Sequence, residues 1–396
     1  MAFRCRSIFD NFKVSQKTSI KFIKIHSTRM AKKILIISMT VGSGHVRAGK
    51  ALVDYADKYL PQVDVEHLDA ADIASPLVRL VNQKFYEVAS HNFPKLWGDV
   101  YKVFDHKMAA KILSQASHLQ EPFCRKLIRY IISRQPDAVI FTYIGIAQLL
   151  APSCRRRLNN IKIGIVVTDY HGHSFYNLPS ADCWFVADSF IKNELAAAGV
   201  PAGCIRVSGM PVNPAFYAKR SVSELKIKYG IPLNRHVILM MPNFLPSDEI
   251  EPAITALLNL KPQVNLIIIT SGNKELYYKI SLSPLAENKN VTLINWTDAP
   301  DEFMRIADVV ISKPGGMTIS ECISLGKPLV MINPIPGQEE ANARFMEQNK
   351  QGVMAHTPKE IAQAAAEFLR KNQSQKYPIQ SLEQNSCKTI FDYFLG

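Results

Sequence analysis

The sequence predicts an α/β chain of two consecutive doubly wound domains facing a central cleft. Three observations carry that expectation. Short apolar runs of strand length alternate with helix-length amphipathic stretches, the rhythm of parallel βαβ units. The rhythm stops after Gly209-Met210-Pro211-Val212-Asn213-Pro214 and restarts near residue 235. A chain of 396 residues with 47% hydrophobic content has enough apolar surface for two cores.

The elements follow in order. Residues 1–30 are a basic extension in which seven Lys/Arg stand against Asp10. Ile20, Phe22, Ile23 and Ile25 interleave with lysines there, but the stretch lacks the apolar core and cleavage site of a signal peptide, and Met30 is a natural start. The first domain, residues 31–214, has strand patterns at Lys33–Ser38, Val63–Leu68, Ala138–Phe141, Ile163–Thr168 and Cys183–Ala187, with a helix over Ala48–Tyr59. Between Pro76 and Gln135 lies a long helical stretch with no strand. Residues 79–134 carry ten Lys/Arg against Glu87, Asp99, Asp105 and Glu121, mixed with Phe85, Phe93, Trp97, Tyr101 and Phe104. Such a mixture suits a helix at a lipid interface, and it equally suits an ordinary layer packed on a sheet. A polar linker, 215–234, leads into the second domain, 235–375. Its strand patterns are Val237–Met241, Val264–Thr270, Val291–Asn295, Val309–Ser312 and Leu329–Ile332. Residues 376–396 close with a helix over Leu382–Leu395. Two doubly wound domains leave a cleft at the carboxyl ends of their strands, where ligands bind.

Composition narrows the function class. No apolar run approaches the roughly 20 residues a spanning helix requires. The seven cysteines (5, 124, 154, 183, 204, 322, 387) are odd in number and form no CxxC pair. That is thiol usage in a reducing compartment, not a disulfide framework or a zinc site. The net charge of +13 suits an anionic membrane surface or a nucleic acid, and only the charge speaks for the latter.

The chemistry concentrates in Ser312–Asn342. A buried strand runs into Gly315 and Gly316 and then a helix, an arrangement that binds anions through exposed first-turn N–H groups and the helix dipole. Thr318-Ile319-Ser320-Glu321 fits a helix capping box; alternatively, Glu321 binds a pair of ribose hydroxyls. The glycine pair and the downstream Gly337-Gln338-Glu339-Glu340 loop favour the ligand reading. Gln338, Glu339 and Asn342 offer groups that hydrogen-bond hydroxyls. Phosphate beside polyol points to a nucleotide sugar. In the first domain, Gly42-Ser43-Gly44-His45 places an imidazole at a strand end facing the cleft, with a pKa suited to proton transfer. Asp169 closes another strand at the same edge, in Thr168-Asp169-Tyr170-His171-Gly172-His173. No Asp-x-Asp pair follows a strand, so the sequence predicts no metal and leaves donor charge to helix dipole and backbone.

These motifs resemble the glycosyltransferase family 28-like enzymes that make glycosyldiacylglycerols, the monogalactosyldiacylglycerol synthase and processive diacylglycerol glucosyltransferase group. The matching pieces are Gly42–His45, Val167-Thr168-Asp169 with His173, Gly209–Val212, Lys313–Thr318 with Glu321, and Pro334–Glu339 with Asn342. They run in family order over roughly residues 33–370. The resemblance implies a GT-B fold and inverting hexosyl transfer from a UDP-sugar to diacylglycerol, with no cofactor beyond the donor. It implies a cytoplasmic enzyme peripherally bound to the membrane, docking through the basic aromatic region 77–111.

By that likeness His45 or Asp169 deprotonates the acceptor. Gly44, Gly315, Gly316, Met317 and Thr318 surround the leaving UDP, Glu321 holds ribose, and Gln338, Glu339 and Asn342 read the sugar. One departure stands out. Where the family has a glycine-rich loop after the first strand of the second domain, this chain has Met241-Pro242-Asn243-Phe244-Leu245-Pro246-Ser247-Asp248. Prolines remove donors and side chains hold a backbone away from phosphate. Either Asn243 and Ser247 substitute, or donor binding is altered. The rival readings are transfer to another lipid-linked acceptor and a catalytically inactive GT-B binding protein.

Overall fold

The computed structural model describes residues 32–74, 124–243, 245–371 and 385–396. The basic extension, the 77–111 segment expected at the membrane and Phe244 lie outside the described residues. Those that are described belong to one compact unit, Lys32–Gly396.

Two six-stranded parallel sheets form the frame. The first contains β1 (Lys33–Ser38), β2 (Asp64–Asp69), β3 (Ala138–Phe141), β4 (Lys162–Val166), β5 (Cys183–Val186) and β6 (Ile205–Val207), in spatial order β2-β1-β3-β4-β5-β6. The second contains β7 (His236–Met240), β8 (Val264–Ile269), β9 (Val291–Ile294), β10 (Val309–Ser312), β11 (Leu329–Met331) and β12 (Gly352–Met354), in order β12-β11-β10-β7-β8-β9. Central strands such as β3 and β10 are buried at every position, as parallel strands covered on both faces must be. The edge strands β6 and β12 carry no such apolar run, and the sequence pattern misses both.

Each sheet reverses its winding once, and those points locate the site. Strand order reverses between β1 and β3 in the first sheet and between β7 and β10 in the second. Ligands of open α/β sheets bind outside the carboxyl ends of the strands at such points. Here β1 feeds the Gly42–Gly44 turn and α1 (Gly44–Tyr59), and β10 feeds the Lys313–Gly315 turn and a helix at Gly316.

Two connections depart from the simple two-domain picture. The polar stretch read as a linker contains a helix, α2 (Val222–Lys228), capped by Ser221, whose Oγ accepts from Glu224 N at 3.3 Å. That helix is tied to α3 (Pro300–Ile306) through the buried Glu302, which accepts from Lys228 Nζ and Tyr229 OH, each at 2.5 Å, and pairs with Arg220. The final helix, α6 (Ser386–Leu395), returns to the first sheet. Its Cys387, Ile390, Phe391 and Phe394 pack with Ile34, Ile36, Leu52 and Phe185 in one apolar cluster. Gly164 makes room for it: a Cβ there would lie 2.5 Å from Phe394 Cζ.

Candidate functional site

Two helix N-termini meet at the cleft. Gly42, at φ 71°, adopts the left-handed conformation that turns the chain from β1 into α1. That helix begins at Gly44, four residues before the expected Ala48, so His45 lies in its first turn. On the opposite wall α4 (Gly316–Leu325) begins after the cap residue Gly315. First-turn N–H groups have no carbonyl one turn back, so both ends present bare donors and the positive end of a dipole.

The alternative reading of Thr318 and Glu321 as a capping box does not hold. Ile319 N already bonds Gly315 O at 3.0 Å, which makes Gly315 the cap and starts the helix at Gly316, two residues before Thr318. Thr318 and Glu321 therefore both lie inside the helix. Gly316 has a different duty from the one expected of it. A Cβ on this residue would come within 2.2 Å of the Thr168 carbonyl oxygen, so its missing side chain lets the two walls touch backbone to backbone. Gly315, by contrast, has ordinary space around it.

His45 is held in one orientation. Its Nδ1 lies 3.0 Å from the Thr142 carbonyl and 2.8 Å from Thr168 Oγ1, while Thr142 Oγ1 donates to the His45 carbonyl at 2.9 Å. A carbonyl can only accept, so Nδ1 carries the hydrogen and Nε2 of the neutral ring keeps its lone pair. Burial lowers the imidazole pKa, opposed by the nearby charge of Asp169 and by the Thr142 carbonyl. The ring is thus neutral at physiological pH. Asp169, also buried, accepts from Gln338 Nε2 across the cleft at 2.7 Å.

The opposite wall is fixed by α5 (Gln338–Gln348), which starts at Gly337 with φ 85°. Glu339 accepts from Ile335 N at 2.9 Å and pairs with Lys313 Nζ at 2.7 Å. Asn342 is fully buried; its Oδ1 accepts from Tyr170 N at 2.7 Å and its Nδ2 donates to Pro314 O at 3.2 Å. Tyr170 is a peg from the first domain. Its hydroxyl lies 2.9 Å from Ser320 Oγ and its ring centroid 4.3 Å from that of Phe345.

A cleft of about 600 Å³ results, open to solvent, and it gathers Gly44, His45, Asp169, Gly315, Gly316, Met317, Thr318, Gln338, Glu339 and Asn342. Two residues named from the sequence are not on its wall. Glu321 is buried beneath Arg47, with which it forms an ion pair, and burial raises its carboxyl pKa against the pull of that guanidinium. Asn243 is in the loop after β7 and not in the cleft lining, its buried Oδ1 without a hydrogen-bond partner among the described residues. Sequence reasoning missed Arg47 and the peg Tyr170, and it gave Lys313 no role. Arg47 was visible as the residue one helical turn beyond Gly44, on the same face.

Comparison with known proteins agrees with the motifs. Residues 45–212 match the family described as monogalactosyldiacylglycerol (MGDG) synthase, and residues 221–384 match glycosyl transferases group 1. A processive diacylglycerol beta-glucosyltransferase of Bacillus pumilus is 26% identical over 375 residues, spanning 91% of this chain and 94% of that one. Among solved structures, MurG of Acinetobacter baumannii has a TM-score of 0.51 at 14% identity, over 92% of this chain and 99% of its own. A putative UDP-N-acetylglucosamine 2-epimerase of Listeria monocytogenes has a TM-score of 0.57 at 14% identity, over 91% and 95%. The structural likeness establishes the GT-B fold, which transferases and epimerases share. The two family matches make the chain a glycosyltransferase, and the resemblance to the glycosyldiacylglycerol-synthesising group holds.

Proposed function

We propose that the chain transfers a hexosyl group, with inversion, from a UDP-sugar to diacylglycerol at the cytoplasmic surface of a membrane. The observation that carries the reading is the orientation of His45, whose Nδ1 is engaged by the Thr142 carbonyl in a cleft also lined by the start of α4. An acceptor hydroxyl between them attacks the anomeric carbon while Nε2 of His45 takes its proton. Asp169 stabilises the imidazolium that forms, held by Gln338. The departing UDP gains negative charge opposite the first-turn N–H groups of α4. Glu321, which lies beneath Arg47 and off the cleft wall in this arrangement, is the ribose ligand the family likeness implies. Gln338, Glu339 and Asn342, which line the cleft together, read the sugar.

The acceptor assignment draws on the relatives named for diacylglycerol. The membrane surface is supported by the net charge of +13 together with the aromatic and basic composition of the 77–111 segment.

The test offers UDP-glucose, UDP-galactose and UDP-N-acetylglucosamine in turn to diacylglycerol vesicles and resolves the lipid products by mass. Wild type yields a glycosyldiacylglycerol with at least one donor. His45→Ala and Asp169→Asn lose turnover while still binding UDP. Transfer only to another lipid-linked acceptor would move the acceptor assignment, and full activity in both variants would end the mechanism.

A further inference from the structure

Arg47 and Glu321 form an ion pair across the cleft, one from α1 and the other from α4. The two ends of this pair are unequally placed. The Glu321 side chain is 5% exposed, whereas that of Arg47 is 37% exposed and lines the cleft. The guanidinium is therefore the cleft-side cover of a buried carboxylate. A carboxylate in such a place must be neutralised or fully hydrogen-bonded, because an uncompensated buried charge is strongly destabilising.

The proposed UDP-sugar reading of the cleft, on which this inference rests, puts ribose hydroxyls on Glu321. They cannot reach it while Arg47 occupies its cleft side. The same donor brings a pyrophosphate into the cleft that Arg47 lines. Guanidinium suits phosphate, since its planar donors bind two oxygens at once. We propose that Arg47 exchanges partners when the donor binds, leaving Glu321 to the ribose hydroxyls and moving onto the donor pyrophosphate. The carboxylate stays satisfied because two hydroxyl donors replace one guanidinium. The cation stays satisfied because phosphate replaces carboxylate. Arg47 thus acts as a cover before binding and as a phosphate ligand after it, a role that selects a phosphorylated nucleoside over a bare one.

Uridine and UDP separate the two halves of this exchange, because uridine has the ribose and no phosphate. Calorimetric titration of both into wild type, Arg47→Met and Arg47→Lys is the experiment, with circular dichroism to check folding. In Arg47→Met, UDP affinity falls roughly tenfold or more, the order expected for a lost charge-assisted contact, and uridine affinity holds or rises because the cover is gone. Arg47→Lys keeps a cation beside Glu321 and folds even where the methionine variant does not. It too weakens UDP relative to uridine. Equal shifts for the two ligands, or UDP binding indifferent to both substitutions, would overturn the exchange and leave the nucleotide reading standing. A wild-type protein that binds neither ligand would refute the nucleotide reading itself, and the exchange with it.

Discussion

Gly316→Ala tests whether catalysis requires the two walls to meet backbone to backbone. Residue 316 lies in the first turn of α4, where alanine is compatible with the helix and favours it by about 1 kcal/mol over glycine. Local propensity therefore predicts mild stabilisation. The cross-cleft geometry predicts the opposite for function. The new Cβ would lie 2.2 Å from the Thr168 carbonyl oxygen, 3.2 Å from its carbon and 3.3 Å from Met210 Cε, whereas ordinary contact begins at 3.4 Å. Thr168 is backbone in a buried stretch and cannot turn aside, so the walls must part by ~1 Å. The bonds from Tyr170 N to Asn342 Oδ1 and from Gln338 Nε2 to Asp169 Oδ1 are each 2.7 Å, and a parting of that size takes both beyond hydrogen-bonding range. Misplacement of reacting groups by about 1 Å costs on the order of a hundredfold in rate. The expected result is a kcat/KM for sugar transfer down about a hundredfold, with the helical circular dichroism signal nearly unchanged. Activity within a few-fold of wild type would refute the reasoning, because the active conformation would then not include this contact.

Two further predictions concern the imidazole and the last helix. Because burial lowers the His45 pKa, and only the neutral ring accepts a proton, the acid limb of kcat/KM lies below the ordinary imidazole value of 6.5. The half-loss of activity therefore falls at a pH below 6.5; a midpoint above 6.5 would contradict the assignment. Phe394→Ala removes a buried ring that packs on Gly164 and Phe185, and it should destabilise the protein by about 3–5 kcal/mol in chemical denaturation. A loss below 1 kcal/mol would mean that α6 contributes little to holding the first sheet.

The strands were legible wherever both faces are covered, because such strands are continuous apolar runs. Lys33–Ser38 and Val309–Ser312 carry the same boundaries in sequence and in structure. The edge strands β6 and β12 were not legible: Arg206 and Val207 are exposed, and β12 begins with a glycine. The start of α1 was misplaced, at Ala48 instead of Gly44, because the Gly42-Ser43-Gly44 turn masks the first helical turn, whereas the helix after Gly315 and Gly316 begins where the glycine pair put it. Thr318 with Glu321 mimics a capping box, but the hydrogen-bond ladder begins at Gly315. Most of the cleft wall was legible, because its residues sit in turns directly after strands. Their partners were not. Sequence offers no way to see that Gln338 reaches Asp169, that Arg47 covers Glu321 or that Asn342 bonds Tyr170 N. Those contacts span from 169 to 274 positions and exist only once both sheets are in place.

The proline-bearing loop after β7 takes on a meaning in this light. Its backbone is folded on itself, with Leu245 N bonded to Pro242 O at 2.9 Å and Glu249 N to Pro246 O at 3.0 Å. Ser247 O is held at 2.6 Å by Lys279 Nζ. Neither Asn243 nor Ser247 lines the cleft. A glycine loop here would have let the second domain bind phosphate by itself. Instead, positive potential at the cleft comes from the N-termini of α1 and α4 and from Arg47 and Lys313, each of these cations paired with a buried carboxylate. Half of those contributions come from the first domain. Under the proposed reading, donor affinity and closure of the walls are therefore one equilibrium: whatever parts the walls weakens UDP, and UDP in turn favours their contact. Gly316→Ala should accordingly weaken UDP as well as slow transfer. A variant with slow transfer and wild-type UDP affinity would show that phosphate is held by the second domain alone.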